Sequence, residues 1–311
     1  MSFVVSSWLA ATLSLAAPYL LASLGLILTE RAGVLALTAE GLMLVGALAG
    51  IGSALALGGH PMVALGVAML AAAALSLVFS GLVILLRVNQ VIAGLAFVFF
   101  CQGLTNVVGT MTGWENRPIA GLAPLPVWPL SDAPFLGPAL FRQDVVVYLL
   151  VPLVAFTTWA LMRTRIGLEL RAVGEDPQAA DAMGISVWGY RLAAVTVGAM
   201  LIGLAGAYLS VVSTKLWIQG MTGGRGWIAI ALVIFARWTP WRALGGALLF
   251  SGIEAMVPRV AAAGVQVPKY FMFMTPYLAT LAVMIWSLRA ERARAFGPAA
   301  LGQPYVREER R

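Results

Sequence analysis

Between Trp8 and Leu288 the chain is a succession of apolar windows of about 20 residues, and few folds are open to a chain written that way. In lipid every backbone N–H and C=O must be satisfied within the protein, so such windows cross as helices. Windows near 8–28, 35–57, 62–86, 91–110, 145–162, 190–213, 226–237, 243–257 and 270–288 predict nine helical segments. The seventh and eighth are too short to cross straight. With 61% hydrophobic and only 11% charged residues, a soluble domain is excluded. The expected fold class is all-α: a polytopic transmembrane helical bundle of about 8–10 spans, some short or broken, in one domain over 1–311.

One long stretch breaks the pattern. Residues 163–191, RTRIGLELRAVGEDPQAADAMGISVWGYR, carry enough charge to face water. Within them Asp176 can cap free amides, Pro177 suits a first helical position and Gly184 a left-handed stop, which predicts about two turns of helix over Pro177–Met183.

Basic loops are retained in the cytoplasm, so the distribution of Lys and Arg orients the chain. Placing 163–190 inside with nine alternating spans puts fourteen basic residues inside: Arg31, Arg87, Arg163, Arg165, Arg171, Arg191, Arg237, Arg242, Arg289, Arg292, Arg294, Arg307, Arg310 and Arg311. Six fall outside: Arg117, Arg142, Lys215, Arg225, Arg259 and Lys269. The N-terminus is then external and the tail 289–311 cytoplasmic, its basic residues holding lipid headgroups rather than nucleic acid. The first window lacks a basic leader and reads as a retained span.

The loop 111–144 holds six prolines and Trp114 and Trp128, which rules out a continuous helix there. It reads as external, with tryptophans at headgroup level, either a lid over helix ends or a docking surface for an external partner. Small-residue stripes at Gly46, Gly50 and Ala54, and at Ala199, Gly203 and Ala207, predict close helix packing. No strict repeat is visible, but glycine-containing stretches near Gly33 and Gly223 each precede a span with an acid.

Those acids are Glu40 and Glu254. An ionisable group in a span costs about 2.5 kcal/mol or more unless it faces protein or water. Glu40 is expected first to cap or bridge the backbone of the preceding loop 30–33, and Glu40 and Glu254 are both candidates for the solute pathway, with Glu254 the stronger. Gln102, Thr105 and Asn106 form a neutral polar cluster suited to an uncharged solute. No catalytic residue or metal set is expected: His60 stands alone in a turn, Cys101 has no intrachain partner, and Gly223, Gly224, Arg225, Gly226 lack the Lys and Ser or Thr of a P-loop. Any ATP driving transport must therefore be hydrolysed elsewhere.

Four collinear segments carry a resemblance: ERAGVLALTAEG at 30–41 with MLVGA after Leu42; RAVGEDPQAADAMGISVWGYRLAAVTVGAMLIGLAGAYLSV; GRGWIAIALVIFARWTPWRALGGALLFSGIEAM; and PAALGQPYVREER. Together they resemble the permease subunits of bacterial ATP-binding-cassette importers of the branched-chain amino acid and ribose-like type, simple sugars and nucleosides among their cargo. The resemblance implies a non-enzymatic inner-membrane permease that pairs with a homologous or identical permease. It also implies two cytoplasmic ATPase subunits using ATP and magnesium, and an external substrate-binding protein. Carried onto this chain, Gly174, Glu175, Asp176, Pro177, Ala180, Ala182, Met183 and Gly184 become a coupling helix seated in the ATPase, with Ala180 and Met183 exposed. The tail is similar to that of the nucleoside branch. Where many relatives have Asn and a small residue, this chain reads Ala36, Leu37, Thr38, Ala39, which removes an amide near the central passage. An ion-coupled transporter working alone is the competing class, with Glu40 or Glu254 as its titrating group.

Overall fold

The computed structural model describes residues 2–128, 131, 136–262, 274, 278, 281, 285 and 297–305. Helices dominate: α1 (Ser2–Arg31), α2 (Ala39–Ala56), α3 (Pro61–Ser80), α4 (Gln90–Met111), α5 (Leu136–Leu140), α6 (Val145–Arg163), α7 (Arg165–Glu175), α8 (Pro177–Ala182), α9 (Val187–Ala207), α10 (Arg225–Ala236) and α11 (Pro240–Ala262). α3 and α9 each run on into a π-helical turn, Gly81–Leu85 and Tyr208–Ser213. Among the described residues one two-stranded ladder pairs Leu125–Pro126 with Arg142–Gln143.

Among the described residues seven helices are long and apolar enough to cross a membrane, and α10, with 12 residues, is shorter. Eight of the nine predicted windows are thus helices, and the ninth, 270–288, lies largely outside the described residues. One expectation is corrected: the eighth is not short, because α11 extends over 23 residues. Arg242, Glu254 and Arg259 lower its apparent apolarity without interrupting the helix.

Polar caps punctuate the ends. Asn89 accepts from the N–H of Val91 and Ile92, Asp144 from Val147, Thr164 from Gly167 and Ser186 from Gly189. Each satisfies a backbone donor that a first helical turn leaves free.

At the centre α1 lies antiparallel to α9, with Gly25 on Gly198 and Thr29 donating to the Ala194 carbonyl. α9 packs on α2 and α3, and α1 on α10 and α11. The small-residue stripes meet each other: a Cβ on Gly46 would lie 2.1 Å from Gly203 O, and one on Gly50 3.1 Å from Ala207 Cβ. Side-chain removal there lets backbones touch, which supplies dispersion contacts that lipid cannot match.

This arrangement makes two inverted units, α1–α2–α3 and α9–α10–α11. In each, an irregular limb follows the first helix: residues 32–38 after α1 and 214–224 after α9. Both climb to membrane depth. Gly41 packs on Val98 and Cys101, halfway along α4, while Gly33 sits beside Gly174 at the end that carries α7. The second limb starts at the opposite end, where Trp217 O accepts from Asn116 N and Lys215 O from Ile119 N of the proline-rich loop. That loop therefore covers the limb. Within it the Trp114 ring packs on Gly52 near the end of α2, whereas Trp128 is exposed.

Candidate functional site

The two limbs deliver the N-termini of α2 and α10 to one point, where a Cβ on Gly226 would fall 2.3 Å from Glu40 N. From that joint α2 runs toward Trp114, and α10 toward Trp238, whose indole donates to Glu30 at 2.5 Å and whose carbonyl accepts from Arg31. The helices thus point their positive ends at each other inside the membrane, which is repulsive unless an anion intervenes. Glu40, 8% exposed, is that anion. Its Oε1 accepts from Thr222 Oγ1 at 2.6 Å and Gly224 N at 2.9 Å, and its Oε2 from Gly226 N at 2.7 Å. Positive φ at Gly223 (57°) and Gly224 (84°) aims these donors inward, a conformation that glycine adopts without strain. Glu40 is a cap, as expected, but of α10 and its limb, not of residues 30–33. The glycine stretches noted near Gly33 and Gly223 are the two limbs.

Glu254 lies one step away. Its Oε1 pairs with Arg225 at 2.7 Å and its Oε2 accepts from Tyr19 at 2.7 Å. Arg225 also donates to Thr222 O at 3.3 Å. Both membrane carboxylates are therefore committed to helix-end contacts, an arrangement that braces the joint. Neither Tyr19 nor Thr222 was singled out from sequence, since a lone hydroxyl in an apolar run carries no positional signal.

Of the polar cluster on α4, Gln102 is exposed and Asn106 half-buried. Thr105 is not on that face: it is buried and donates to Cys101 O at 2.8 Å, a local bond that satisfies the hydroxyl inside its own helix.

At the α7 end, Asp176 Oδ1 accepts from Gln178 N and Ala179 N at 3.0 Å each, Pro177 opens α8, and Gly184 has φ 81°. Met183, 81% exposed, projects from the helix end. Two expected docking residues, Ala180 and Gly174, are buried, and a third, Glu175, is exposed but engaged by the tail. Ala180 is 3% exposed in a small core with Val173 and Val187. Gly174 is buried because a Cβ would lie 2.1 Å from Arg31 O. Glu175 faces the tail, accepting from Ala299 N at 3.2 Å. The tail returns to this surface: Ala300 N donates to Gly174 O, Gly302 N to Gly33 O, and Arg191 to Gln303 O. α7 was missed from sequence, although Gly167, Leu170, Val173 and Gly174 bury one helical face. Its outer side holds Glu169, whose carboxyl lies below the usual range because Tyr190 and then Arg165 donate to it.

Known proteins match this sequence along its length. Residues 8–285 match the family described as branched-chain amino acid transport system, permease component. TsgC13 of Haloferax volcanii, provisionally described as a glucose ABC transporter permease, is 41% identical over 99% of both chains. The guanosine ABC transporter permease NupQ of Bacillus subtilis is 32% identical, covering 99% of this chain and 98% of its own. The nucleoside ABC transporter permease NupC of Lactococcus lactis is 30% identical over 94% of each. No solved structure matches. The re-entrant limbs and the seven long apolar helices are thus the frame of a multi-pass membrane protein, and the chain belongs to the branched-chain amino acid transport system permease family.

Proposed function

We propose that this chain is the translocating subunit of an ATP-driven nucleoside importer. α8 is the element on which the ATPase acts, and the observation that carries this reading is the capped two-turn helix ending in an exposed Met183. A thioether projecting from a short, rigid helix suits insertion into an apolar groove. The supporting surface is Asp176, Pro177, Met183 and Gly184, while Gly174, Glu175 and Ala180 hold α8 to the bundle. The α7 end is cytoplasmic and the N-terminus external, as the fourteen-to-six distribution of basic residues favours. The proline-rich loop then faces the external binding protein. ATP and magnesium belong to the partner ATPases, and a second permease, identical or homologous, completes the passage. The chain itself catalyses no reaction.

Nucleoside cargo is supported by the near-full-length similarity to NupQ and NupC and by the tail segment 298–310. A simple sugar is the second reading, favoured by the higher identity to TsgC13. The test is reconstitution in proteoliposomes with candidate ATPase and binding-protein subunits. We expect ATP-dependent uptake of guanosine in preference to glucose, and loss of that uptake in Met183→Glu with the complex inserted. Gradient-driven uptake by the chain alone would overturn the importer assignment, and unchanged uptake by Met183→Glu would overturn the coupling assignment.

A further inference from the structure

One face of α4 changes character at mid-membrane. Gln102, Asn106 and Thr110 stand at i, i+4 and i+8, so they form one stripe on the half of α4 nearer the proline-rich loop. Gln102 and Thr110 are exposed. Below them the same face becomes apolar, with Phe99 70% exposed.

The second limb lies along the polar half. Gln219, itself exposed, donates from Nε2 to Thr110 Oγ1 at 3.2 Å, and the Trp217 ring covers Gly109, where a Cβ would meet it at 2.2 Å. Behind the strip two polar atoms are shielded and unpartnered, the Asn106 Oδ1 acceptor and the Trp217 Nε1 donor. An unmade hydrogen bond at a shielded site costs about 1–3 kcal/mol, and an amide facing hydrocarbon is no better placed. The exposed amides of Gln102 and Gln219 therefore make lipid a poor complement for this strip, although Val107 and Met111 beside it are apolar and exposed. Its side chains, Gln102, Asn106, Thr110 and Gln219, carry no charge, so a fixed ion is not its complement either.

We propose that this strip is the wall of a water-filled vestibule that receives the solute, with Phe99 as its floor. The inference rests on the permease reading above and names the solute-facing residues within it. The solute is neutral and presents neighbouring donors and acceptors, because a carboxamide offers both from one plane. A nucleobase edge and vicinal hydroxyls share that chemistry. Thr110 and Gln219 meet the solute first, and Asn106 and Gln102 lie deeper, above Phe99.

Cysteine accessibility tests this. In a Cys101→Ala background, Q102C, N106C, T110C and Q219C are made singly in the assembled importer and exposed to a membrane-impermeant thiol reagent. Phe156→Cys, on the exposed apolar face of α6, is the lipid-facing control. We expect labelling about tenfold or more faster than at the control, since reaction requires water and thiolate. Added guanosine or glucose, whichever is carried, should slow labelling and so identify the chemistry of the cargo. Rates equal to the control, or reactivity seen only when the partner subunits are absent, would overturn the proposal. Labelling needs no turnover: fast labelling without any ATP-driven uptake would sink the importer reading and leave the vestibule standing.

Discussion

Removing the Glu40 carboxylate should loosen the helix joint more than any other single polar change in the bundle. Glu40→Ala strands three donors that now have acceptors at 2.6, 2.7 and 2.9 Å. At about 1–3 kcal/mol for each stranded donor, with water able to enter the vacated space, the cost is about 3–6 kcal/mol. Loss of the anion between two helix N-termini adds up to about 2 kcal/mol in a buried setting. Glu40→Gln keeps the volume and one oxygen but turns an amide donor toward Gly226 N–H, and should cost about 2–4 kcal/mol. The chain supplies its own probe, because the single cysteine, Cys101, is fully buried against Gly41. Heating the detergent-solubilised protein with a fluorogenic maleimide reads the opening of that contact. A chain of this size should lose about 2–4 °C in Tm per kcal/mol, so Glu40→Ala should fall by roughly 6–30 °C and Glu40→Gln by less. A double-mutant cycle with Thr222→Val should show coupling of about 1 kcal/mol. A Tm for Glu40→Ala within about 2 °C of wild type would refute the capping argument.

Other perturbations follow from the same contacts. Gly206→Ala places a Cβ 1.9 Å from Met43 O, so backbone must move, and the yield of folded, monodisperse protein should drop sharply; a normal elution profile would contradict the packing. Asp176→Ala removes two cap bonds from α8 and should cost about 1 kcal/mol locally, seen as faster amide exchange at Gln178 and Ala179 with the bundle unaffected. Glu169 has a lowered folded pKa, so its bonds to Tyr190 and Arg165 contribute above the ordinary carboxylate range. That contribution is lost as pH falls through the folded value, and exchange across α7 should rise there in wild type but stay flat in Glu169→Gln.

Much of the frame was legible because one physical rule dominates it. A segment that must satisfy its own backbone in lipid advertises itself as an apolar run, and α1 to α4, α6, α9 and α10 all fall where the windows put them. The α8 cap was legible for a local reason: Asp176, Pro177 and Gly184 act within a few residues of themselves. Legibility ended where a residue acts across the chain. Glu40 was rightly read as a cap, but its partners lie more than 180 positions away. Ala180 and Met183 look alike as apolar positions on one short helix, and only the packing of Val173 and Val187 buries one and exposes the other.

The sequence by itself determined that this is a helical membrane protein with one long polar insert, and resemblance along four segments placed its family. Tertiary structure alone decided that the two glycine-containing limbs meet, that their helices face N-terminus to N-terminus, and that Glu40 lies between them. Hydropathy and capping are properties of neighbours along the chain, whereas a joint between inverted units exists only once α1 and α9 have packed and carried both limbs to the same depth.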